Sequence, residues 1–421
     1  MTAADMAAAL GGSGAVVGDA SPADAVAGVA PSYVAFPGSV SEAAGVMREA
    51  TAQRMAVVPR GSGSRISWGV PPTRCDLVAD MTQMDRVLEH AAGDLVVRVE
   101  AGVTLASLAD VLAKAGQRLV LEGPPSATVG GVVATGTAGP LRLRYGTPRD
   151  VLIGITVVRA DGHVAHSGGR VVKNVAGYDI GKLFAGSHGT LGLITEATFR
   201  LHPIAPARSY VTAEYGDAAP AAEAALSAAA SSLVASAVEA DRAGPGAPVR
   251  VGVLLEGTAP GVAERAARMI ELLGADAQAS ESAPRWWGQR GEAAVPSAGT
   301  LIQITFWAGK LRPVLEMIDM VAADARVTPA VGGSAGAGML YASLDGGEDA
   351  GQVATFVRAL RAATGTGGPA RGSVVVLTAP AAVREAVDLW GPVPALELMR
   401  AVKAQFDPDH RMAPGRFAGG I

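Results

Sequence analysis

Glycine clusters bordering apolar runs constrain this chain more than any other feature. Pro59-Arg-Gly-Ser-Gly-Ser-Arg65 directly follows the apolar run Met55–Val58. Further along come Gly123-Pro-Pro-Ser-Ala-Thr-Val-Gly-Gly131, Arg144-Tyr-Gly-Thr-Pro-Arg-Asp150, Lys173-Asn-Val-Ala-Gly-Tyr-Asp179 and Gly186-Ser-His-Gly-Thr-Leu-Gly192. These glycines fall next to predicted strands rather than at helix starts, which leaves their N–H groups free to face a ligand at close range. A Rossmann fingerprint needs Gly-x-Gly-x-x-Gly opening a helix. Gly186, Gly189 and Gly192 have the wrong spacing and precede β-branched alternation, and Gly61-Ser-Gly63 lacks the third glycine. No Gly-Lys-Ser/Thr of a P-loop follows four spacer residues either. What remains is a nest of main-chain donors suited to an anion. Any one of these glycines is more simply a turn residue; the weight lies in their clustering between Gly61 and Gly192. Two such loops on one domain imply a large phosphorylated cofactor, one loop near its pyrophosphate and the other along its rings.

At 421 residues the chain can support two domains, each with its own core. A net charge of −4 and the absence of any Lys/Arg-rich block give no footing for nucleic acid. The single cysteine, Cys75, excludes an internal disulfide and any Cys-ligated cluster or zinc ribbon built within this chain. Residues 1–30 are rich in small residues but lack a basic start and are interrupted by Asp5, Asp19 and Asp24. They are expected to form a loosely ordered extension rather than a signal peptide. No charge-free apolar window reaches membrane-spanning length, so a cytoplasmic protein is expected.

Strand and helix signals alternate through the first half. A strand is predicted over 33–36. Ser39-x-x-Glu42 is a capping-box pattern opening a helix to about Gln53, followed by a strand over 55–58 that ends at the first glycine loop. A strand over 95–100 leads to Thr104, which caps a helix carrying Leu105, Leu108, Leu112 and Ala115 before Gly116 stops it. Strands over 153–159 and 163–166 flank Asp161-Gly162, a strong hairpin signal. Leu193, Thr195, Ala197, Phe199 and Leu201 share one face of a strand. After His202-Pro-Ile-Ala-Pro206 the pattern changes to longer units. Strands are predicted over 209–213, 249–255, 301–306, 339–344 and 373–377, and helices over 219–240, 262–273, 311–323 and 352–363. Residues 243–248 and 365–369 read as turn-rich tethers. A final helix over 393–406 places Leu396, Met399, Val402 and Phe406 on one side, and Asp407-Pro408 ends it.

Pro59–Arg65, Val129-Gly-Gly131, Asp161-Gly162, Gly177-Tyr-Asp179 and Leu183-Phe-Ala-Gly-Ser-His-Gly-Thr-Leu-Gly192, in that order and spacing, resemble the vanillyl-alcohol-oxidase/PCMH type of FAD-binding domain. Val171-Val-Lys-Asn-Val-Ala-Gly-Tyr-Asp179 is similar to the E subunits of bacterial glycolate oxidases. So is the tail from Phe406-Asp-Pro to Pro414-Gly-Arg416, although Ala413 stands where those proteins carry asparagine. The resemblance implies an α+β fold: a PCMH-type FAD-binding domain of two α/β subdomains, plus an α+β cap domain. Its expected bounds are an extension over 1–30, the FAD-binding domain over 31–205, the cap over 206–390, and a C-terminal helix and tail over 391–421 packing back on the FAD domain.

The resemblance further implies that FAD pyrophosphate lies along Arg60, Gly61, Ser62, Gly63 and Ser64. Ser126, Thr128, Val129, Gly130 and Gly131 would line the far side. Gly189, Thr190, Gly192 and Ile194 would approach the ribityl or ring system. Relatives with covalent FAD use His or Cys near these loops; Ser64 and Arg65 follow Gly63 here, so non-covalent FAD is expected, with His188 a loop residue near the cofactor rather than a base. Related D-2-hydroxy-acid dehydrogenases hold a metal with paired histidines in the second domain. His202 and His410 do not form such a motif, so no metal site is assigned. No catalytic residue is assigned either. Arg285, Tyr341 and Arg371 are candidates for a cap facing the flavin and more simply surface or structural groups; paired Trp286 and Trp287 read first as packing. Lys173 and Asp179 are equally an ordinary ion pair or part of a loop ordering cofactor or partner. Cys75 reads as a small packed residue. The expected function is the FAD-binding subunit of a glycolate oxidase-like complex oxidising a 2-hydroxy acid, with a homologous flavin subunit and an iron–sulfur subunit as partners, and peripheral membrane contact only through them. A stand-alone FAD oxidoreductase for a hydroxy acid or sugar alcohol, and a structural subunit without cofactor, are the alternatives.

Overall fold

Val57 and Val58, fully buried in the short strand β3 (Val57–Arg60), begin the element that presents the first glycine loop. The computed structural model describes residues 10–169, 179–274, 276–289, 299–365 and 371–421. They divide into two compact units: the first takes residues 1–138, 146–204 and 392–421, the second 139–145 and 205–391. The architecture is α+β.

In the first unit, β1 (Val16–Asp19), β2 (Tyr33–Phe36), β3 and β4 (Leu77–Asp80) form a four-stranded sheet in the order β1-β2-β4-β3. The β2/β4 and β3/β4 pairs are parallel, and β1 joins β2 antiparallel. The helix Val40–Ala52 covers this sheet with Val46, Met47 and Ala50. Ser39 caps it by accepting from the Glu42 N–H at 3.2 Å, while the Glu42 carboxylate reaches back to the Gly38 N–H at 2.8 Å. The expected looseness of the N-terminal extension is corrected for residues 10–30. Leu10 and Val26 are fully buried, and β1 extends the sheet. Asp24 is tied down by the Ser21 N–H and hydroxyl and by Arg60. The strand predicted over 55–58 is shifted two residues onward, so Pro59 and Arg60 are still strand when the loop begins.

A second, antiparallel sheet runs β5-β6-β10-β8-β9, from β5 (Val87–Ala91), β6 (Val96–Glu100), β8 (Leu152–Val158), β9 (Val164–Gly168) and β10 (Leu193–Arg200). The Asp161-Gly162 hairpin is present: Val158 faces Val164, and Gly162 takes φ +79°, where a side chain would be strained. Thr104 caps the helix Leu105–Ala113 as the sequence implies, accepting from Ser107 N–H at 3.2 Å. Central β10 buries Ile194, Ala197 and Phe199, and Leu201 just beyond, against the core shared with that helix and Val129–Thr135; the register shift between Ile194 and Glu196 breaks the predicted single face, and Leu193 joins the core under the first sheet instead. The two-residue strands β7 (Gln117–Arg118) and β11 (His202–Pro203) pair with each other.

The second unit is built on one antiparallel sheet of eight strands, ordered β15-β12-β14-β13-β17-β18-β16-β19. These are β12 (Ala207–Tyr215), β13 (Ala237–Arg242), β14 (Val249–Gly257), β15 (Gln278–Ser280), β16 (Thr300–Thr305), β17 (Ala330–Gly333), β18 (Met339–Leu344) and β19 (Ser373–Thr378). Its longer helices are Ala218–Ala230, Ala259–Leu273, Leu311–Ala325 and Ala350–Thr364. The helix predicted over 219–240 is wrong in its second half. It ends at Ala230, and residues 237–242 are a buried strand. Residues 243–248 are accordingly the hairpin between β13 and β14, not a tether. Residues 366–369 of the other predicted tether lie outside the described residues.

The last helix, Leu396–Phe406, belongs to the first unit, and Asp407 ends it. Phe406 meets Phe184 edge-on at 5.5 Å between ring centroids. The tail then runs beside β3: Val57 N–H donates to the Arg411 carbonyl and Ala413 N–H to that of Val57, both at 2.8 Å.

Candidate cofactor site

Three segments distant in sequence converge on one open cleft of the first unit. The stretch from Pro59 to Ile66 supplies one wall. Thr128, Gly130, Gly131, Ala134 and Thr135 supply another, and His188, Gly189, Gly192 and Ile194 a third. Met81, Ala101 and Arg416 complete the lining.

The first wall follows from β3. Its parallel pairing with β4 brings Arg60 beside Asp80, and the guanidinium donates to Asp80 at 2.8 Å and to Asp24 at 2.8 Å. Burial works against the charge, but these two carboxylates raise the Arg60 pKa above its ordinary value. The Arg60 side chain is therefore a strut already neutralised by carboxylates rather than a phosphate ligand. Beyond it the chain turns, with the Ile66 N–H closing onto the Gly63 carbonyl at 3.0 Å. Among the described residues, the N–H groups of Ser62, Gly63 and Ser64 meet no acceptor. These are the donors an anionic group would find.

The second wall corrects the expectation about Gly130 and Gly131. They sit in the first turn of the helix Val129–Thr135, not beside a strand, and their amides are already used. Gly130 N–H donates to the Ala101 carbonyl at 2.8 Å and Gly131 N–H to Thr128 Oγ1 at 3.3 Å. Glycine serves closeness here rather than donation: a Cβ on Gly61 would lie 1.9 Å from Thr128 Oγ1, and one on Gly130 2.7 Å from the Ala101 Cβ. In the third wall Gly189 takes φ +77°, and a Cβ there would meet Pro59 at 3.0 Å.

Of the residues expected to contact cofactor, Arg60, Gly61, Ser62, Gly63, Ser64, Thr128, Gly130, Gly131, Gly189, Gly192 and Ile194 line this cavity. Ser126, Val129 and Thr190 do not. Ser126 is exposed, Val129 is fully buried in the core, and Thr190 turns inward with its hydroxyl on the Ser187 carbonyl at 2.7 Å. Val171 to Tyr178, including Lys173 and Asn174, lie outside the described residues.

Sequence reasoning did not place Arg416 in the site. Its guanidinium donates to the carbonyls of Ile66 at 2.8 Å and Trp68 at 2.7 Å, which fixes the end of the first loop. Burial lowers its pKa to about 10. The signal was present in Pro414-Gly-Arg416, but nothing in the sequence joins it to a loop some 350 residues earlier. His188, half-buried beside Phe417 at 5.4 Å between ring centroids, is held neutral: burial, with the Arg416 charge, lowers its pKa from 6.5 to about 3. Cys75 stays a packed thiol, its pKa pushed up to about 12 by burial and by Asp76. In the second unit Trp286 and Trp287 pack as expected, Trp287 edge-on to Tyr210 at 5.0 Å. Among the described residues no group of three or more His, Cys, Asp or Glu side chains is placed to hold a metal ion.

Residues 31–168 match the family described as FAD binding domain. That stretch of the chain is an FAD-binding domain of the PCMH type. The glycolate oxidase subunit GlcD of Bacillus subtilis is 36% identical over 177 residues, which are 41% of this chain and 37% of that protein. A mitochondrial D-lactate dehydrogenase [cytochrome] of Arabidopsis thaliana is 36% identical over 174 residues, 41% of this chain and 31% of that one. The chain thus spans well under half the length of these curated relatives. An alkyldihydroxyacetonephosphate synthase structure superposes with a TM-score of 0.68 over 92% of this chain and 76% of that one at 18% identity. The BBE-like 1 protein of Physcomitrella patens gives 0.67 over 98% of both chains at 16% identity. These two likenesses establish the fold around the FAD-binding domain. Its cavity fits that cofactor in kind: unspent main-chain donors at one end and a glycine-narrowed, mostly apolar channel beyond.

Proposed function

We propose that this chain is an FAD-dependent oxidoreductase of the 2-hydroxy-acid type, holding FAD without a covalent bond in the cavity between the 59–66, 128–135 and 188–194 segments. The observation that carries the reading is the set of unspent Ser62, Gly63 and Ser64 amides opening onto that cavity. They suit a pyrophosphate. Bound FAD supplies an acceptor for a hydride and a route for single electrons onward. The chain's own part is to cradle the phosphates with main-chain donors, to fix the loop end through Arg416, and to exclude water with Ile66, Met81, Ala134 and Ile194. His188, kept neutral, adds no charge beside the cofactor.

The relatives named glycolate oxidase subunit, D-lactate dehydrogenase and D-2-hydroxyglutarate dehydrogenase support a small 2-hydroxy acid as substrate class. In the finer reading the chain is one subunit of a glycolate oxidase-like complex, with residues 206–390 as its cap domain. A homologous flavin subunit and an iron–sulfur subunit complete it; with one cysteine here, any cluster belongs to another chain. Among the described residues no helix is long and apolar enough to cross a membrane, and cytoplasmic placement is part of the proposal.

The test is reconstitution with FAD followed by anaerobic titration with glycolate, D-lactate or D-2-hydroxyglutarate. Yellow protein whose flavin is released by acid is expected. Bleaching by the chain alone marks an enzyme complete in itself, and bleaching only with co-purified partners marks the subunit. A protein that stays colourless after refolding with FAD overturns the reading.

A further inference from the structure

The least expected group in the first unit is a fully buried lysine on the last helix. Lys403 lies where an amphipathic helix would carry an apolar residue, between half-buried Val402 and Phe406. All three of its donors are satisfied: the Asp407 carboxylate at 2.7 Å, the Met412 carbonyl at 2.9 Å and the Thr190 carbonyl at 2.7 Å. The first two contacts tie the tail to itself, since Asp407 also accepts from the Met412 N–H at 2.7 Å. The third reaches across 213 residues to the turn between Gly189 and Gly192, both of which line the cavity. A salt bridge buried only for stability is a poor investment against apolar packing, because desolvation cancels much of the attraction. A bond to a single carbonyl in a turn that must hold Gly189 at positive φ is of more use for geometry than for stability.

We infer that Lys403 is a positioning residue for the cofactor site, fixing the main-chain course of the 189–192 turn through the Thr190 carbonyl. This rests on the FAD reading above. Arg416 does the same for the opposite wall through the Ile66 and Trp68 carbonyls, so the tail sets the spacing of both glycine loops. Arg411 provides an internal comparison. It anchors the same tail to Thr51 Oγ1 at 2.8 Å and to the Ala160 carbonyl at 3.2 Å, without touching either loop.

The test compares full-length wild type, Lys403→Met/Asp407→Asn and Arg411→Met. The double variant removes the buried charge pair together and leaves an amide oxygen for the Met412 N–H. FAD affinity is read by flavin fluorescence, stability without FAD by urea unfolding, and the turn directly by hydrogen exchange over residues 187–192. Both variants are expected to lose stability, but only the double variant loses FAD affinity, by about tenfold or more, with faster exchange in the turn, as expected when a preorganised site is loosened. Should the double variant not fold, Lys403→Arg keeps the charge and the Asp407 pair but cannot place one nitrogen among three acceptors. It is expected to weaken FAD binding severalfold at near-normal stability. FAD affinity and exchange changing no more than in Arg411→Met would overturn the inference while leaving the FAD reading intact. Wild type that takes up no flavin removes both.

Discussion

Gly61 and His188 show how single positions set the limits of the cavity. Gly61 permits the first loop to lean on Thr128, and Gly61→Ala would place a carbon 1.9 Å from the threonine hydroxyl. Overpacking of this kind typically costs roughly 1–3 kcal/mol. The loss should appear in urea unfolding of the FAD-free protein and be accompanied by weaker flavin retention. Adding Thr128→Ala should restore part of it, although that change also removes the cap on the Val129–Thr135 helix, usually worth about 1 kcal/mol. A fully additive double variant would mean that the two residues do not press on each other. His188 bears on acid stability. Its folded pKa of about 3 lies below the ordinary 6.5, so unfolding takes up a proton between those values. Stability is complete above pH 6.5 and falls as pH drops toward 3, by at most about 1.4 kcal/mol per pH unit from this residue. His188→Gln should flatten that limb in urea titrations at successive pH values. Asp24 adds a separate loss at lower pH: hydrogen bonds from Ser21 and Arg60 hold its pKa at about 2 against 3.8, and its contribution disappears only through that window.

Strand β13 is the element that sequence patterning misread, and its energetics explain why. Glu239, Asp241 and Arg242 make the segment look polar, and the alanine-rich run before it reads as helix throughout. In the structure all six residues from Ala237 to Arg242 are buried. Asp241 pairs with Arg250 across the hairpin, and Arg242 reaches Asp319 on the helix Leu311–Ala325 at 2.6 Å. Asp319→Ala leaves a buried guanidinium without its carboxylate; because the Asp319 side chain is itself 37% exposed, the cost should fall below the roughly 3–5 kcal/mol of a fully buried pair, at about 1–3 kcal/mol. The urea midpoint should fall accordingly, and Asp319→Asn should lose less. A midpoint unchanged by Asp319→Ala would show that Arg242 finds another partner. Charge pairs between separate elements have no local signature, whereas the Asp161-Gly162 hairpin, the Ser39 and Thr104 caps and the Ala197, Phe199, Leu201 alternation of β10 depend on neighbours within a few residues. That is why the latter were legible. The glycine loops were legible for the same reason, as chain that must bend or approach closely. The tail's hold on them was not, because Lys403 and Arg416 act through main-chain carbonyls that any sequence possesses.

Chain order and spatial grouping part company most clearly between residues 139 and 145. These seven residues fall inside the matched FAD-binding stretch, yet they belong to the second unit. Leu141 packs against the cluster of Tyr210, Ala237 and Leu254, Arg144 donates to Ser236 Oγ at 3.2 Å, and the Tyr145 hydroxyl faces the Glu256 carboxylate at 3.4 Å. The segment is a loop of one unit by sequence and part of the core edge of the other by contact. A change at Leu141 should therefore be felt by the second unit rather than by the flavin cavity. Leu141→Ala loosens the cluster of Tyr210, Ala237 and Leu254 on which Trp287 also packs and, for a partly buried leucine, should cost about 1–2 kcal/mol, below the range for fully buried ones. Tryptophan emission should shift to the red as the Tyr210–Trp287 contact loosens, while FAD affinity stays near that of wild type. Four of the five tryptophans lie in the second unit, so the emission reports mainly on it. Retained emission with lost flavin would assign the 139–145 segment to the cofactor site instead, and the grouping by contacts would then misplace the boundary between the units.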